Sequence, residues 1–471
     1  MSFSSQLKNL KPKTLPLSLH LLLMEENRKT QGNWEEQELD NPIGSTSWVY
    51  NSIAGELTVI EFVEGTPDEE RPWISFEDSA DPDRLQTVSS IVPNHFHLDI
   101  SWIPKNQYVK MCVHFIALAD GVERIDDYEF CRYSGMKSIA LGKTIKSIGN
   151  SAFQYCGELM SITIPNSTET IGSEAFDKCT NLTSIHLSNA LTQIGQAAFF
   201  DCSKLTSVVI PDSTIEICDD AFRNCTKLMS AFLGSSLTTI GRCAFYGCSM
   251  LKSISIPNSV EIIRSYTFGG CINLEWIFLN SVKEIEVYAF NDCDSLTNVI
   301  IPSTVKSIDG NPFTGCANLV SIVVEEGNSD YTSEEGVLFD KNKTLLISFP
   351  CGKDKDYVIP STVTSIGKGA YYNCIGLTSI EIPSTVTVIG DYAFTQCNDL
   401  VSVKLSENLT SLGREAFRHC SKLAKVDIPP NVTSFGLFVF LECTLLASVR
   451  LPKDLKFRED AFYHKTKILT Y

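Results

Sequence analysis

From about residue 111 onward, apolar and polar positions alternate in short runs that return at a regular interval. Ile162-Thr163-Ile164-Pro165 and Ile254-Ser255-Ile256-Pro257 are two such runs. Period-two alternation over so short a stretch predicts a strand whose alternate side chains face inward. The proline that follows has no N–H to give to a ladder, so the strand is expected to stop there. Ser-Val or Ser-Thr comes next, then an isoleucine and often a glycine, as at Val363, Ile366 and Gly367. The glycine is expected to permit a tight bend into the next segment.

Aromatic residues mark the interval. Phenylalanine stands at 130, 153, 176, 199, 222, 245, 268, 290 and 313, and the same frame resumes with Tyr371, Phe394, Phe417, Phe440 and Phe462. Nearly every step is 23 residues, with two of 22 and one of 58, which makes fourteen repeats. Alanine usually precedes the aromatic (Ala152, Ala175, Ala198), cysteine follows three residues later (Cys156 through Cys443), and leucine three after that (Leu159, Leu182, Leu205). One coil more can be read upstream, with Val113, Ile116 and Leu118 in the strand positions and Val122 and Ile125 leading to Phe130. A strand of three or four residues cannot bury its apolar side alone. Stacked coils can, each adding one parallel strand about 4.8 Å from the last. Fourteen or fifteen coils would make a curved rod roughly 70 Å long on that spacing.

The unit A-F-x-x-C-x-x-L-x-S-I-x-I-P resembles the BspA-like (Treponema pallidum-type) leucine-rich repeat, over roughly three quarters of the chain. That resemblance implies an α/β-type repeat solenoid, a right-handed superhelix with parallel strands on its concave side. It also implies a role in surface recognition or adhesion. The solenoid is expected to occupy residues 111–471, with an interruption at 325–356 where the frame breaks. There Gly336–Phe339, a turn at Asp340–Lys343 and Leu345–Phe349 predict a hairpin that keeps the stack continuous. Residues 1–110 show no repeat. Thr58–Val63 and Phe96–Trp102 read as strands, and the segment as a small β-rich cap, because an open first coil would expose its core and its strand edge.

Composition narrows the function. The formal net charge of −17 argues against phosphate backbones and anionic lipid as partners. No run of 18 apolar residues occurs, so membrane insertion is not expected. Leu15–Met24 lies behind Lys8, Lys11 and Lys13 like the apolar stretch of a signal peptide, but Glu25, Glu26, Asn27 and Arg28 follow in place of small residues at a cleavage site.

Candidate chemistry is thin. Twelve of the seventeen cysteines occupy the repeat position. A single column cannot wrap four ligands around zinc, and equivalent positions specify no disulfide pairing, so a ladder of buried thiols is expected. So many cysteines favour a reducing compartment. Six glycosylation sequons, at Asn166, Asn181, Asn224, Asn342, Asn408 and Asn431, would matter on a secretory route. Gly142-Lys143-Thr144 has Lys137 where a phosphate loop needs glycine, and reads as a turn. His95 and His97 make a two-ligand pair without further partners, so no metal or cofactor is expected.

A ligand would meet the residue between the two inward positions of each strand. Along the stack these are Thr163, His186, Val209, Phe232, Ser255, Phe278, Ile300, Val323, Glu381, Lys404, Asp427 and Arg450. The middle of the row is apolar, and Trp276 stands two residues before Phe278. Phe232, Trp276, Phe278 and Ile300, with Val209 and Val323, form a candidate contact patch for a protein partner. The plainer alternative is that they pack on each other or lie under the 325–356 insertion. The charges beyond are expected to pair across the ladder. These features predict a non-enzymatic protein-interaction scaffold that presents a concave repeat face, read as monomeric and cytoplasmic. A secreted or cell-surface adhesin, and an enzyme housed in residues 1–110, are the alternatives.

Overall fold

The structure is a computed structural model. It describes residues 50–51, 56–57, 88–92, 113–118, 120–354 and 356–470, which all belong to one compact unit, Tyr50–Val59 with Ser75–Tyr471. The expected strands Thr58–Val63 and Phe96–Trp102, and the His95–His97 pair, lie outside the described residues.

Each coil contributes two short strands. Ser184–His186 pairs in parallel with Ser161–Thr163, Ile185 opposite Ile162, and Gln193–Ile194 pairs in parallel with Thr170–Ile171, Ile194 opposite Ile171. Between the parallel strands from Val113 onward the register does not slip, because a slip would turn the inward isoleucines to water. Upstream, Val88–Val92 joins the same sheet beside Val113–Leu118.

The interior is a set of columns. The rings of Phe153, Phe176, Phe199, Phe222 and Phe245 stack at centroid distances of 5.0 to 5.3 Å, within the range where offset rings attract. Each thiol in the cysteine column donates to the carbonyl of the aromatic one coil back, as Cys202 Sγ does to Phe176 O at 3.2 Å. The thiol thereby adds a second donor to a buried carbonyl that already accepts the amide of Cys179 at 3.1 Å, and finds its own S–H a partner. Serine and threonine after the proline do the same for the next turn: Thr214 Oγ1 donates to Leu191 O at 2.9 Å. The Gly142-Lys143-Thr144 turn is tied likewise, with Lys143 N donating to Asp120 Oδ1 at 2.6 Å.

Two expectations need correction. The fold is a parallel β-solenoid, and its outer segment is not helical. Among the described residues the helical content is one short 3-10 turn, Glu459–Ala461. The cause is a pair of left-handed residues bracketing the aromatic in most coils, for example Ser151 and Tyr155 around Phe153, and Glu174 and Lys178 around Phe176. A left-handed residue cannot continue a right-handed helix. The second correction concerns the glycine before the Ala-Phe pair, which serves close approach between coils, not a bend. A Cβ on Gly195 would lie 2.4 Å from the carbonyl carbon of Gly172, and one on Gly413 2.4 Å from the amide of Asp391.

The interruption forms the expected hairpin. Val337–Asp340 and Leu345–Ser348 run antiparallel, and Leu345–Ser348 then pairs in parallel with Ser365–Ile366, so the second-strand ladder of the later coils starts on the hairpin, while Ser307–Ile308 ends the ladder before it. Asp340 closes the turn by accepting the amides of Thr344 and Leu345, each at 2.7 Å. A third strand, Tyr331–Glu334, pairs antiparallel with Val337–Asp340. The hairpin has two working faces. Leu338 and Ile347 belong to the core that runs back to Ile116, whereas Val337, Phe339 and Leu346 belong to the core that runs on to Phe462. Strand alternation thus lets one layer seal two cores.

Candidate interaction surface

The outward row on the first-strand sheet is built as the alternation predicts. Ser207–Val209 pairs with Ser230–Phe232 so that Val209 lies opposite Phe232. Ser255 lies opposite Phe278, and Ile300 opposite Val323. Phe232 is half-buried, while Val209 (56% exposed), Phe278 (45%), Ile300 (57%) and Val323 (47%) stand in solvent. Trp276, 48% exposed, lies in the neighbouring row opposite Ser253. Large apolar groups therefore stay open in these coils, and the insertion leaves Ile300 and Val323 uncovered.

Two further exposed apolar residues flank the row: Met229 and Val320, one position after the column leucines Leu228 and Leu319. The period-two reading passed over them because it begins at the serine that follows. The leucine column plus one was the available signal.

Farther along, the row becomes charged. Glu381 lies opposite Lys404 and Asp427 opposite Arg450. Lys404 Nζ donates to Glu381 Oε1 at 2.5 Å, and that hydrogen bond is the main cause of an ammonium held above its usual range. Lys425 pairs with Asp427 at 3.3 Å. The expected pairing across the ladder is met by Glu381 and Lys404, whereas Asp427 takes Lys425 of its own strand.

A second concavity of about 850 Å³ lies over the other strand ladder, floored by Gly149, Gly172, Gly195 and Gly241. Its polar walls bond coil to coil: Asn150 Oδ1 accepts Ser173 N at 2.8 Å, and Gln193 Nε2 donates to Glu216 Oε2 at 2.8 Å. The groove follows from glycine packing. Among the described residues no cluster of His, Cys, Asp or Glu is disposed to hold a metal ion, and no helix is long and apolar enough to cross a membrane.

One cysteine expectation fails in part. Eleven of the twelve repeat cysteines are free and buried, from Cys156 to Cys443, but Cys374 is disulfide-bonded to Cys351, with Cα atoms 4.7 Å apart. Cys351 precedes Cys374 by one 23-residue step but follows its aromatic, Phe349, by two residues in place of three, so the column is distorted at this one place.

In-register parallel coils with columns of leucine, isoleucine, phenylalanine and cysteine define a leucine-rich-repeat β-solenoid. The chain belongs to the BspA-type leucine-rich-repeat family, whose repeat-region model, in 6 copies, matches residues 101–229, 216–335 and 348–469. Similar solved structures include a leucine rich cell surface protein from Faecalibacterium prausnitzii A2-165, 25% identical, covering 82% of this chain and 90% of that one at a TM-score of 0.54. A leucine-rich repeat protein from Bacteroides ovatus is 25% identical over 90% of this chain and 100% of that one, with a TM-score of 0.52. The pneumococcal vaccine antigen PcpA is 25% identical over 62% of this chain and 71% of that one, with a TM-score of 0.51. No curated protein matches the chain by sequence.

Proposed function

We propose that this protein is a non-enzymatic recognition scaffold whose first-strand sheet docks a protein partner through Phe232, Trp276, Phe278 and Ile300, with Val209 and Val323 at the margins. The observation that carries the reading is that this apolar row stays open to solvent while the charged row beyond it is internally paired. Contiguous exposed apolar surface on an otherwise polar sheet is characteristic of protein contact sites, and aromatic anchors dominate their energetics. The surplus of acidic groups disfavours nucleic acid as the ligand. The scaffold works as a monomer in the cytoplasm in this reading.

A second reading is a secreted or cell-surface adhesin, favoured by the likeness to the Faecalibacterium prausnitzii cell surface protein. It keeps the same docking face and changes only where that face is shown. Cell fractionation, with a glycosidase mobility shift, separates the two.

Proximity labelling and pull-down with the wild type, Phe278→Asp and Lys404→Glu test the docking face. Phe278→Asp is expected to lose the captured protein, Lys404→Glu to keep it, and both to melt near the wild type. Equal capture by Phe278→Asp would overturn the proposal, as would a large fall in its melting temperature, which would make the ring structural.

A further inference from the structure

Apart from the half-buried Cys131, Cys218 and Cys243, the described cysteines fall into two chemical situations. Eleven column thiols donate to the aromatic carbonyl one coil back at 3.1 to 3.2 Å, so each already has a buried partner. Burial also holds Cys179, Cys202, Cys225 and Cys248 well above the usual thiol range, so the nucleophilic thiolate is scarce there. Cys351 is different. It stands beside Cys374, one 23-residue step before it, but only two residues after its aromatic, Phe349, where the other column cysteines stand three after theirs.

Its place matters mechanically. Cys351 follows directly on the hairpin strand Leu345–Ser348, the layer that seals both cores. The next residue, Gly352, donates its amide to Leu319 O at 2.7 Å, in the coil before the insertion. Phe349 donates its amide to Ala370 O at 2.9 Å, in the coil after it. Cys374 sits in that later coil, three residues past Tyr371. The sulfur bridge therefore ties the inserted layer to the later core at the point where the two cores meet.

We propose that Cys351 and Cys374 form a reversible redox staple of this joint, closed by a small disulfide oxidant of the glutathione class. Cys351, 7% exposed against 0% for Cys374, is the sulfur a small oxidant reaches first. Its thiolate attacks one sulfur of oxidised glutathione, forming a mixed disulfide and expelling a glutathione thiolate. The Cys374 thiolate then attacks the Cys351 sulfur and expels the second. Two protein thiols and one glutathione disulfide become one protein disulfide and two glutathione thiols, and the two protons pass to the departing thiolates. The open state is also accommodated. Cys351 Sγ lies 3.5 Å from Tyr372 O and 3.9 Å from Phe349 O, so a thiol there has acceptors in place.

The full-length chain, equilibrated across ratios of reduced to oxidised glutathione, acid-quenched, alkylated and mapped by mass, tests the staple. Among the described cysteines, Cys351 and Cys374 should oxidise together as one two-electron couple while the column thiols stay reduced. Hydrogen exchange in residues 331–349 should slow on oxidation, exchange in residues 153–245 should not change, and the melting midpoint should rise by about 5 °C. Cys351→Ser should fold with the same circular dichroism and lose the redox response. A pair that stays reduced in excess oxidised glutathione overturns the proposal. So do column cysteines that cross-link first, or a hairpin whose exchange is the same in both states. The wild-type titration decides the matter even if the variant fails to fold.

Discussion

The coils from Phe130 to Phe313 and those from Tyr371 to Phe462 have nearly the same interior and different faces. In both, aromatic rings stack, thiols donate one coil back, and a glycine admits the neighbouring backbone. Outside, the earlier coils show Val209, Phe278, Ile300 and Val323 to solvent, whereas the later ones show Glu381, Lys404, Asp427 and Arg450. The repeat therefore specifies architecture through its inward positions and leaves individuality to one outward row. A selective pressure on binding can act on that row without touching the columns.

The strongest way to break this equivalence is to cut the columns. Phe222→Ala and Phe417→Ala each remove a fully buried ring from a stack. Each is expected to cost about 3–5 kcal/mol, through lost burial and the cavity left behind. Because a solenoid's stability is a sum over neighbours, the damage should be local. Hydrogen exchange should rise in the coils flanking residue 222 in one variant and residue 417 in the other. Denaturant melts that differ strongly between the two would show that the interiors are not interchangeable.

A smaller cut distinguishes two roles for glycine. If Gly195 merely relaxed the backbone, alanine there would be mild. Its Cβ would instead meet the backbone of Gly172 at 2.4 Å, so Gly195→Ala is expected to cost roughly 1–3 kcal/mol as overpacking, and Gly413→Ala a similar amount. Gly327 supplies the contrast: its φ of +89° strains any side chain, yet a Cβ there would find no atom within 4 Å. Its alanine variant isolates backbone strain from crowding. Equal mildness at Gly195 would remove the packing account.

The columns were legible in the sequence because they obey a fixed interval, and the outward row followed from alternation once the strands were placed. Most of what escaped had no periodic signal. The strand Tyr331–Glu334 is polar, so nothing in its pattern separates it from a loop. The outer turns read as α/β because left-handed backbone at non-glycine residues such as Tyr155 and Lys178 leaves no trace in composition. The Cys351–Cys374 adjacency did leave a signal, a separation of one 23-residue step, which passed unread because Cys351 follows Phe349 by two residues and not three. Glycine's role was misread because close approach between coils and a tight bend call for the same residue.

The smallest expected effect lies in the charged coils, and it is informative because it is small. Lys404 and Glu381 are paired at 2.5 Å, but their side chains are 75% and 69% exposed, so water and salt screen the attraction. Lys404→Ala should leave the melt almost unchanged at neutral pH and unchanged in molar salt. The sign of any residual effect is set by the carboxylate, which raises the ammonium above its ordinary value of 10.5. The pair therefore favours the folded state below that pH, and its contribution fades as the pH climbs through the raised value. Thermal melts of wild type and Lys404→Ala at neutral and alkaline pH should converge at the alkaline end. If Lys404→Ala instead weakened partner capture as much as Phe278→Asp, recognition would extend over both halves, and the contrast between an open apolar row and a self-paired charged one would lose its functional meaning.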